Sequence, residues 1–294
     1  MNESDQIKFA NGVLQQQQQL MVEVRRNSGY LARQEIERIR EKCGSDPKRL
    51  EQHGFKVYSQ HDEDGMLAEI FRRIEVEKGV FCEIGVENGL ECNTLFLIHQ
   101  GWRGIWLEGN QAQQQAIESK FAPILRNKRL GLGMGYITPG NINQSIRQMC
   151  SHLAVDAGDI DFLSIDIDGM DIYLLDVIEF RPKVICIEYN AKFPPPVFKK
   201  PVFDEDFRWK GTDYMGSSLT AITQTANQKG YSLVGTNISG SNAFFVRNDL
   251  VGDRFQANPT PEALYNPPRY YLWIDHYLDN IGHPADFGPY TDLI

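Results

Sequence analysis

Short apolar runs alternate with longer amphipathic segments over much of the chain. Helix-length segments separate the first five runs, which predicts parallel strands joined by crossover helices, in a sheet covered on both faces. The last two runs are joined only by ISGS, too short for a crossover, so they are predicted to form an antiparallel hairpin. The seven predicted strands are 80–86, 103–109, 130–137, 161–167, 183–189, 231–237 and 242–248.

The pattern divides the chain into three parts. Residues 1–54 are polar and helix-favouring and are predicted to be a helical extension. Residues 55–250 carry the alternating pattern and form the central domain. Residues 251–294, rich in Pro, Tyr and Asp, are predicted to be a C-terminal extension that covers this domain.

The N-terminal part has a heptad-like apolar seam that Gly29 interrupts, at Val13, Leu20, Val24 and Leu31. A second helix is expected to begin at Ser45, with Pro47 in its first turn. Two interpretations stay open for this arm. It is an oligomerisation or docking element, which favours a homo-oligomer, or an amphipathic helix packed on its own domain.

Composition narrows the class of partner. The formal net charge is −9, and no stripe of Lys and Arg with interleaved aromatic residues is present, which argues against a nucleic-acid ligand. No run of 18 apolar residues predicts a membrane span, and the first residues lack the pattern of a secretory signal. The five cysteines form no CxxC motif and are interpreted as reduced thiols of a cytoplasmic protein.

A glycine-containing loop follows the first strand. The sequence EIGVENGLECN contains Glu83, Gly85, Gly89 and Asn93. In open α/β sheets ligands bind beyond the carboxyl ends of the strands, where glycine permits a tight turn and close approach of the backbone. The loop lacks the GxGxxG dinucleotide fingerprint, and Glu87 in its middle would repel a pyrophosphate.

A carboxylate also ends the second strand. Glu108 lies 23 residues after Gly85, where an acidic side chain accepts hydrogen bonds from ribose hydroxyls. An acidic loop combined with such a carboxylate suits a cofactor that contains ribose and positive charge but no phosphate.

Further carboxylates crowd the ends of the fourth and fifth strands. Asp166 and Asp168 end the fourth, and Glu188 and Asn190 end the fifth. Residues two apart share one face of an extended chain, and crowded carboxylates are costly without a proton or a cation among them. Their hard oxygen atoms suit Mg²⁺ or Mn²⁺. Asp171 is interpreted as the N-cap of the helix that follows.

The strand pattern resembles the seven-stranded, Rossmann-like sheet of class I S-adenosylmethionine (SAM)-dependent methyltransferases. Glu83, Gly85 and Gly89 look like motif I of that family, and Glu108 looks like the acidic residue of motif II. The resemblance implies that SAM is the cofactor. It implies that Glu83 and the loop, together with Asn93, face the methionine part, and that Glu108 holds the ribose.

The segment before the first strand, YSQHDEDG (58–65), resembles the opening of FkbM-type methyltransferases. That resemblance implies that Ser59 and Gln60 contact the cofactor. Independently of it, Asp62 and Glu63 favour a helix N-terminus, and Asp62 is expected to cap that helix.

DFLSIDID…IEYN is similar to the metal-dependent O-methyltransferases that act on catechols, phenylpropanoids and some macrolide sugars. The resemblance implies that Asp166, Glu188 and Asn190 bind a divalent cation and that Asp166 and Asp168 take part in catalysis. Two departures are evident. Tyr189 separates the acid from the Asn, and Gly169 stands where those enzymes place a Lys or His base, so the base is unassigned.

These observations predict a SAM-dependent O-methyltransferase, assisted by a divalent metal, that acts on a hydroxyl of a sugar, glycan or similar polyol. One alternative is an NAD(P)-dependent sugar oxidoreductase, for which the third glycine and a Tyr-x-x-x-Lys base are not found in the expected place. The other is a non-catalytic binding domain that keeps the methyltransferase fold.

Overall fold

A computed structural model of the chain describes residues 3–257 and 259–273. The predicted seven-stranded sheet is confirmed, with the strand order β3-β2-β1-β4-β5-β7-β6. Only β7 runs antiparallel to its neighbours, β5 and β6. The strands are β1 Val80–Ile84, β2 Arg103–Glu108, β3 Leu130–Met134, β4 Ile160–Ile165, β5 Val184–Glu188, β6 Tyr231–Thr236 and β7 Asn242–Arg247.

The register of the central strands assembles one crevice at the carboxyl edge of the sheet. Ile84 at the end of β1 lies opposite Ile165 at the end of β4. Glu188 at the end of β5 lies opposite Asn242 at the start of β7. The loops that follow β1, β4 and β5 therefore begin next to one another.

Helices cover both faces of the sheet, as the predicted doubly wound architecture requires. The helices are α1 Glu3–Cys43, α2 Glu63–Arg73, α3 Leu95–His99, α4 Gln114–Lys120, α5 Ala122–Arg126, α6 Ile142–Leu153, α7 Asp171–Val177, α8 Leu219–Gln228, α9 Asn248–Val251 and α10 Pro261–Leu264. Ile146 of α6 and Leu174 of α7 belong to the core on one face. Met66 of α2 and Leu95 of α3 belong to the core on the other.

The N-terminal extension differs in detail from the prediction. A single helix, α1, runs through Gly29, because the i→i−4 hydrogen bonds tolerate a glycine at a cost of about 1 kcal/mol. No second α-helix starts at Ser45; residues 44–49 form turns before a 3₁₀-helix at Leu50–His53. That prediction was wrong because Asp46 and Gly44 make local turn hydrogen bonds instead.

Only the C-terminal end of α1 packs on the domain. Ile36 and Ile39 are buried against Ile238 and Leu272. The guanidinium of Arg40 donates to the backbone carbonyls of Glu51 and Gly54. The four seam residues are exposed, so they do not pack on their own domain.

The C-terminal extension begins by crossing the β6–β7 hairpin. Thr236 Oγ1 donates to the Leu264 carbonyl at 2.6 Å, and the Arg269 backbone N–H donates to the Ser239 carbonyl at 2.7 Å. A 3₁₀-helix follows at Tyr270–Trp273. The rest of the predicted extension, residues 274–294, lies outside the described residues.

Within residues 3–257 and 259–273, the structure contains no helix that is both long and apolar enough to span a bilayer.

Candidate functional site

The glycine loop touches the turn that follows β4. Gly85 has a φ of +82°, and a Cβ atom there would lie 1.7 Å from the backbone oxygen of Asp166. Gly89 has a φ of +78°, and a Cβ there would meet the Trp106 ring at 2.6 Å. Both glycines are therefore required by backbone conformation and by close approach. The predicted cofactor loop and the predicted carboxylate cluster are in direct contact.

Glu83 is buried and serves the loop's own backbone. Its Oε1 accepts the N–H of Asn93 at 2.8 Å, and its Oε2 accepts the N–H and hydroxyl of Thr94 at 3.0 and 2.5 Å. Asn93 in turn donates to the Ser164 hydroxyl at 3.0 Å. These bonds fix the end of the glycine loop, so Glu83 sets the conformation of the loop.

Glu108 lies beside the glycine loop, where the sequence predicted it. Its Oε2 accepts the N–H groups of Val86 and Glu87 at 3.0 and 2.7 Å, and its Oε1 accepts the N–H of Asn110 at 2.6 Å. A carboxylate has about four lone-pair positions, so acceptor capacity remains for a hydroxyl. Glu108 can thus hold the loop and a ribose together.

Ser59 is fully buried in the turn before α2. Its hydroxyl accepts the Asp64 N–H at 3.1 Å and donates to the His61 carbonyl at 3.3 Å. Asp64 Oδ2 accepts the N–H groups of Val57, Tyr58 and Ser59 at 2.6 to 2.9 Å. The Ser59 hydroxyl is therefore engaged within the turn, whereas Gln60 is partly exposed.

Asp62 does not cap α2. It occupies the residue before the helix, but its side chain makes no cap hydrogen bond, and neither oxygen has a well-formed partner although the residue is fully buried. Burial and the neighbouring charge of Glu63 raise the pKa of Asp62 to about 7, and Arg40 partly opposes the rise. The expected cap is wrong because this side chain lies against Gly54, where a Cβ atom would come within 2.5 Å of its Oδ2.

Three carboxylates at the carboxyl edge lie close to one another, and we call them the carboxylate trio: Asp166, Asp168 and Glu188. One oxygen from each lies within 4.8 Å of the others. Burial, and then the neighbouring carboxylates, raise the pKa of Asp166 and of Glu188 well above the ordinary range. Glu188 Oε2 is buried without a hydrogen bond. An unpartnered buried oxygen among crowded acids fits a divalent cation.

Asp171 hydrogen-bonds to the turn that carries part of the trio, and it does not cap α7. The helix starts at Asp171 itself, after Met170. The Asp171 carboxylate accepts the N–H of Ile167 at 2.8 Å and the N–H of Gly169 at 2.9 Å. Burial raises its pKa to about 6, although these two bonds oppose the rise. The N-cap interpretation is wrong because the carboxylate turns back onto the preceding loop.

Asn190 is engaged by the loop that crosses the crevice. Its Nδ2 donates to the carbonyls of Asp213 and Met215, both at 2.8 Å, and its Oδ1 accepts the Lys192 N–H at 3.1 Å. The structure therefore places Asp168 with Asp166 and Glu188, and uses the Asn190 amide to anchor residues 213–215.

An aromatic pair from the same loop lies over the turn of the trio. A Cβ atom at Gly169 would come within 2.3 Å of the Phe207 ring, and Phe207 packs edge-on against Tyr214 with centroids 5.7 Å apart. Tyr136 donates to the Phe207 carbonyl at 2.7 Å. Phe207 thus explains why Gly169 carries no base. Sequence reasoning missed Phe207, and the apolar residues of this proline-rich loop were the available signal.

A histidine–carboxylate group lies near the end of β5, and sequence reasoning did not predict it. Glu63 Oε1 accepts the side-chain amides of Asn237 and Asn242 at 2.6 and 2.9 Å, and lies 3.4 Å from His61 Nδ1. Burial alone would raise the pKa of Glu63, but His61 and the amides lower it to about 2. The signal was the HDED run, interpreted only as a helix start.

No family model and no curated protein matches the sequence. Among solved structures, the chain is similar to a provisionally assigned caffeoyl-CoA O-methyltransferase from Staphylococcus aureus, at 15% identity over 75% of this chain and 99% of that one, with a TM-score of 0.43. It is similar to an O-methyltransferase from Bacillus cereus in complex with S-adenosylhomocysteine (SAH), at 15% identity over 73% and 88%, with a TM-score of 0.39.

A third similar structure is the O-methyltransferase TomG from Streptomyces achromogenes in complex with SAM, at 13% identity over 62% of this chain and 78% of that one, with a TM-score of 0.36. No residue role is carried over from these structures.

Proposed function

We propose that this chain is a SAM-dependent O-methyltransferase that uses Mg²⁺ or Mn²⁺ to methylate a hydroxyl of a sugar, glycan or similar polyol. The observation that carries the proposal is the contact between the glycine loop at Gly85 and the Asp166 backbone. The sequence predicted a cofactor site and a cation site separately. This contact makes the two predicted sites adjacent.

In this proposal, the loop after β1 and Glu108 bind the cofactor. Glu83 and Glu108 fix the two ends of the loop through backbone N–H groups. Glu108 accepts a hydrogen bond from a ribose hydroxyl with its remaining lone pair. Burial and the charges of Asp168 and Glu108 raise the pKa of Glu87. The clustered carboxylates make the electrostatic potential at this wall of the crevice negative. An acidic wall favours the sulfonium and ammonium charges of SAM.

The carboxylate trio would hold the cation, because its three carboxylates supply hard oxygen ligands without a compensating Lys or Arg in hydrogen-bond contact among the described residues. A bound cation lowers the pKa of a coordinated hydroxyl. Asp166 and Glu188 are the more buried ligands. Asp168 is exposed and lies toward the acceptor, where its carboxylate accepts the hydroxyl proton or positions a second hydroxyl.

The reaction forms a bond between the acceptor oxygen and the methyl carbon while the methyl–sulfur bond breaks. The electron pair of that bond passes to sulfur, which leaves neutral SAH, and the hydroxyl proton passes to a carboxylate of the trio. Because the methyl group is already activated, the residues around the crevice need to align and deprotonate the acceptor.

The acceptor class follows from charge and shape. The acidic wall disfavours a phosphorylated or carboxylated acceptor near the trio. Phe207 and Tyr214 offer aromatic faces at the mouth of the crevice. A neutral ring with neighbouring hydroxyls, as in a sugar, satisfies both conditions.

The two alternatives make different demands. A nicotinamide dinucleotide would place its pyrophosphate against Glu87, which the charge disfavours. A non-catalytic domain would have no use for the unpartnered oxygen of Glu188.

We also propose self-association through α1, whose apolar seam is exposed, and a reducing cytoplasmic setting, since the five cysteines are free.

Calorimetry with SAH and with Mn²⁺ tests the proposal. Both should bind the wild-type chain, whereas Asp166→Asn and Glu188→Gln should lose Mn²⁺ binding and keep SAH binding. Asp176→Asn, a change at an exposed carboxylate of α7, is the matched control. Methyl transfer from labelled SAM to methyl glycosides, compared with catechol, then tests the acceptor class. Absence of SAH binding would remove the methyltransferase proposal.

A further inference from the structure

Helix α1 presents a seam of mainly apolar side chains that is longer than the one described above and keeps only Val24 and Leu31 of it. The seam alternates spacings of three and four residues, which is the a/d pattern of a coiled coil. It consists of Ile7, Ala10, Leu14, Gln17, Met21, Val24, Ser28 and Leu31. All five of its large apolar side chains are exposed. The residues Val13 and Leu20 border the same stripe.

The domain leaves this seam uncovered. Every residue from 5 to 24 is exposed, and the packed residues are Ile36 and Ile39 near the helix end. At 3.6 residues per turn, the middle of the seam lies about 50° around the helix from the side that carries Ile36 and Ile39. A helix of 41 residues is about 60 Å long, so most of α1 extends away from the domain.

We propose that a second copy of this chain covers the seam, with the two α1 helices antiparallel and with residues opposite each other whose numbers add to 38. This inference rests on the proposed self-association and specifies its geometry. In that register every a position meets a d position of the partner helix. The resulting layers are Ile7–Leu31, Leu14–Val24, Met21–Gln17 and Ser28–Ala10.

Charge selects the antiparallel direction. Residues 3–24 contain three acidic residues and one basic residue, for a net charge of −2, whereas residues 25–42 have a net charge of +3. An antiparallel pair places the acidic half of each helix against the basic half of the other, and also opposes the helix dipoles. A parallel pair would place like charges together.

The same charges disfavour a bilayer as the occupant. A helix that lies on an anionic membrane carries Lys and Arg on its polar face. Here the exposed residues 5–24 of α1 contain Asp5 and Glu23 against Lys8 and are net negative, and Gln15–Gln19 form an uncharged run beside the seam. The antiparallel pair instead leaves the two domains at opposite ends, separated by more than about 50 Å of helix, so they do not compete for space.

Cysteine cross-linking of the full-length chain tests the register. In a Cys43→Ser background, the double variant Ile7→Cys/Leu31→Cys should form a disulfide-linked dimer under mild oxidation. The single variant Leu31→Cys should stay unlinked, since its two copies would be about 36 Å apart along the paired helices. Positions 7 and 31 are equally far apart within one helix, so a link must join two chains.

A matched pair of variants tests the seam itself. Val22 and Val24 are both 52% exposed, but only Val24 belongs to the seam. Light scattering should show that Val24→Asp shifts the dimer to a monomer and that Val22→Asp leaves the mass unchanged. A dimer in which Leu31→Cys alone cross-links would overturn the antiparallel register and leave self-association intact. A wild-type chain that stays monomeric, or that binds phosphatidylserine vesicles through Val24 instead, would overturn self-association as well.

Discussion

Asp171 accepts the backbone N–H groups on both sides of Asp168, at 2.8 Å from Ile167 and 2.9 Å from Gly169. Asp168 itself has a φ of +58°, a conformation that a non-glycine residue keeps only when its surroundings hold it there. One carboxylate thus positions another. Glu83, Glu108 and Asp64 likewise accept hydrogen bonds from the backbone N–H groups of other turns.

Removal of the Asp171 carboxylate should weaken cation binding. In Asp171→Ala, we expect the Mn²⁺ dissociation constant to rise about 10- to 100-fold, the range seen when a group that orients a metal ligand is lost. SAH affinity should stay the same, because Asp171 bonds only to the 167–169 turn. Calorimetry measures both, with Asp176→Ala on the same helix as the control. Equal Mn²⁺ affinity in the two variants would show that the turn holds Asp168 without Asp171.

Glu108→Ala should weaken SAH binding by roughly 1.5–3 kcal/mol, the range for hydrogen bonds to a charged group. Part of this loss would come from the freed N–H groups of Val86 and Glu87, which Glu108 also holds. Glu118→Ala, an exposed change on α4, is the control. An unchanged SAH affinity for Glu108→Ala would mean that the ribose binds elsewhere.

Asn190→Ala distinguishes a loop anchor from a cation ligand. Since the Asn190 amide holds Asp213 and Met215, the variant should release the loop and speed tryptic cleavage at Lys199, Arg208 or Lys210 about tenfold. Its Mn²⁺ affinity should change less than that of Glu188→Gln. A large loss of Mn²⁺ affinity with unchanged cleavage would instead identify Asn190 as a ligand.

Asp62 should make the fold less stable as the pH rises. Its folded pKa of about 7 exceeds the unfolded value, so its contribution is full below about pH 4 and is lost as the pH passes through about 7. The loss is about 2–4 kcal/mol. Urea unfolding from pH 5 to 8 should show a flatter pH dependence in Asp62→Asn than in the wild type. Parallel curves for the two chains would contradict the burial of this charge.

Truncation of α1 should separate self-association from folding. A chain that begins at Arg33 lacks the exposed seam and should be monomeric with nearly unchanged stability. A chain that begins at Gly44 also lacks Ile36, Ile39 and Arg40, and should lose about 3–6 kcal/mol from the two buried isoleucines. Light scattering and urea unfolding of both chains provide the measurement. Equal stability would show that the packed end of α1 contributes little.

The sequence by itself determined the sheet. Each strand is a short apolar run, a local property, and the five residues between β6 and β7 permit only a hairpin. It also placed Glu108, Asp166 and Glu188 at one edge, since the carboxyl ends of parallel strands meet there. The exposed seam of α1 was likewise partly visible in the spacing of its apolar residues, although its continuity through Gly29 was not.

Only the tertiary structure decided what each carboxylate does. Asp168 and Asp171 are the same residue type three positions apart, yet one is free in the crevice and the other is bonded to backbone N–H groups. Asp62 likewise differs from its predicted role as a helix cap. A side chain's hydrogen-bond partners depend on which distant turns the fold brings within about 3 Å, and no local pattern of residues encodes that distance.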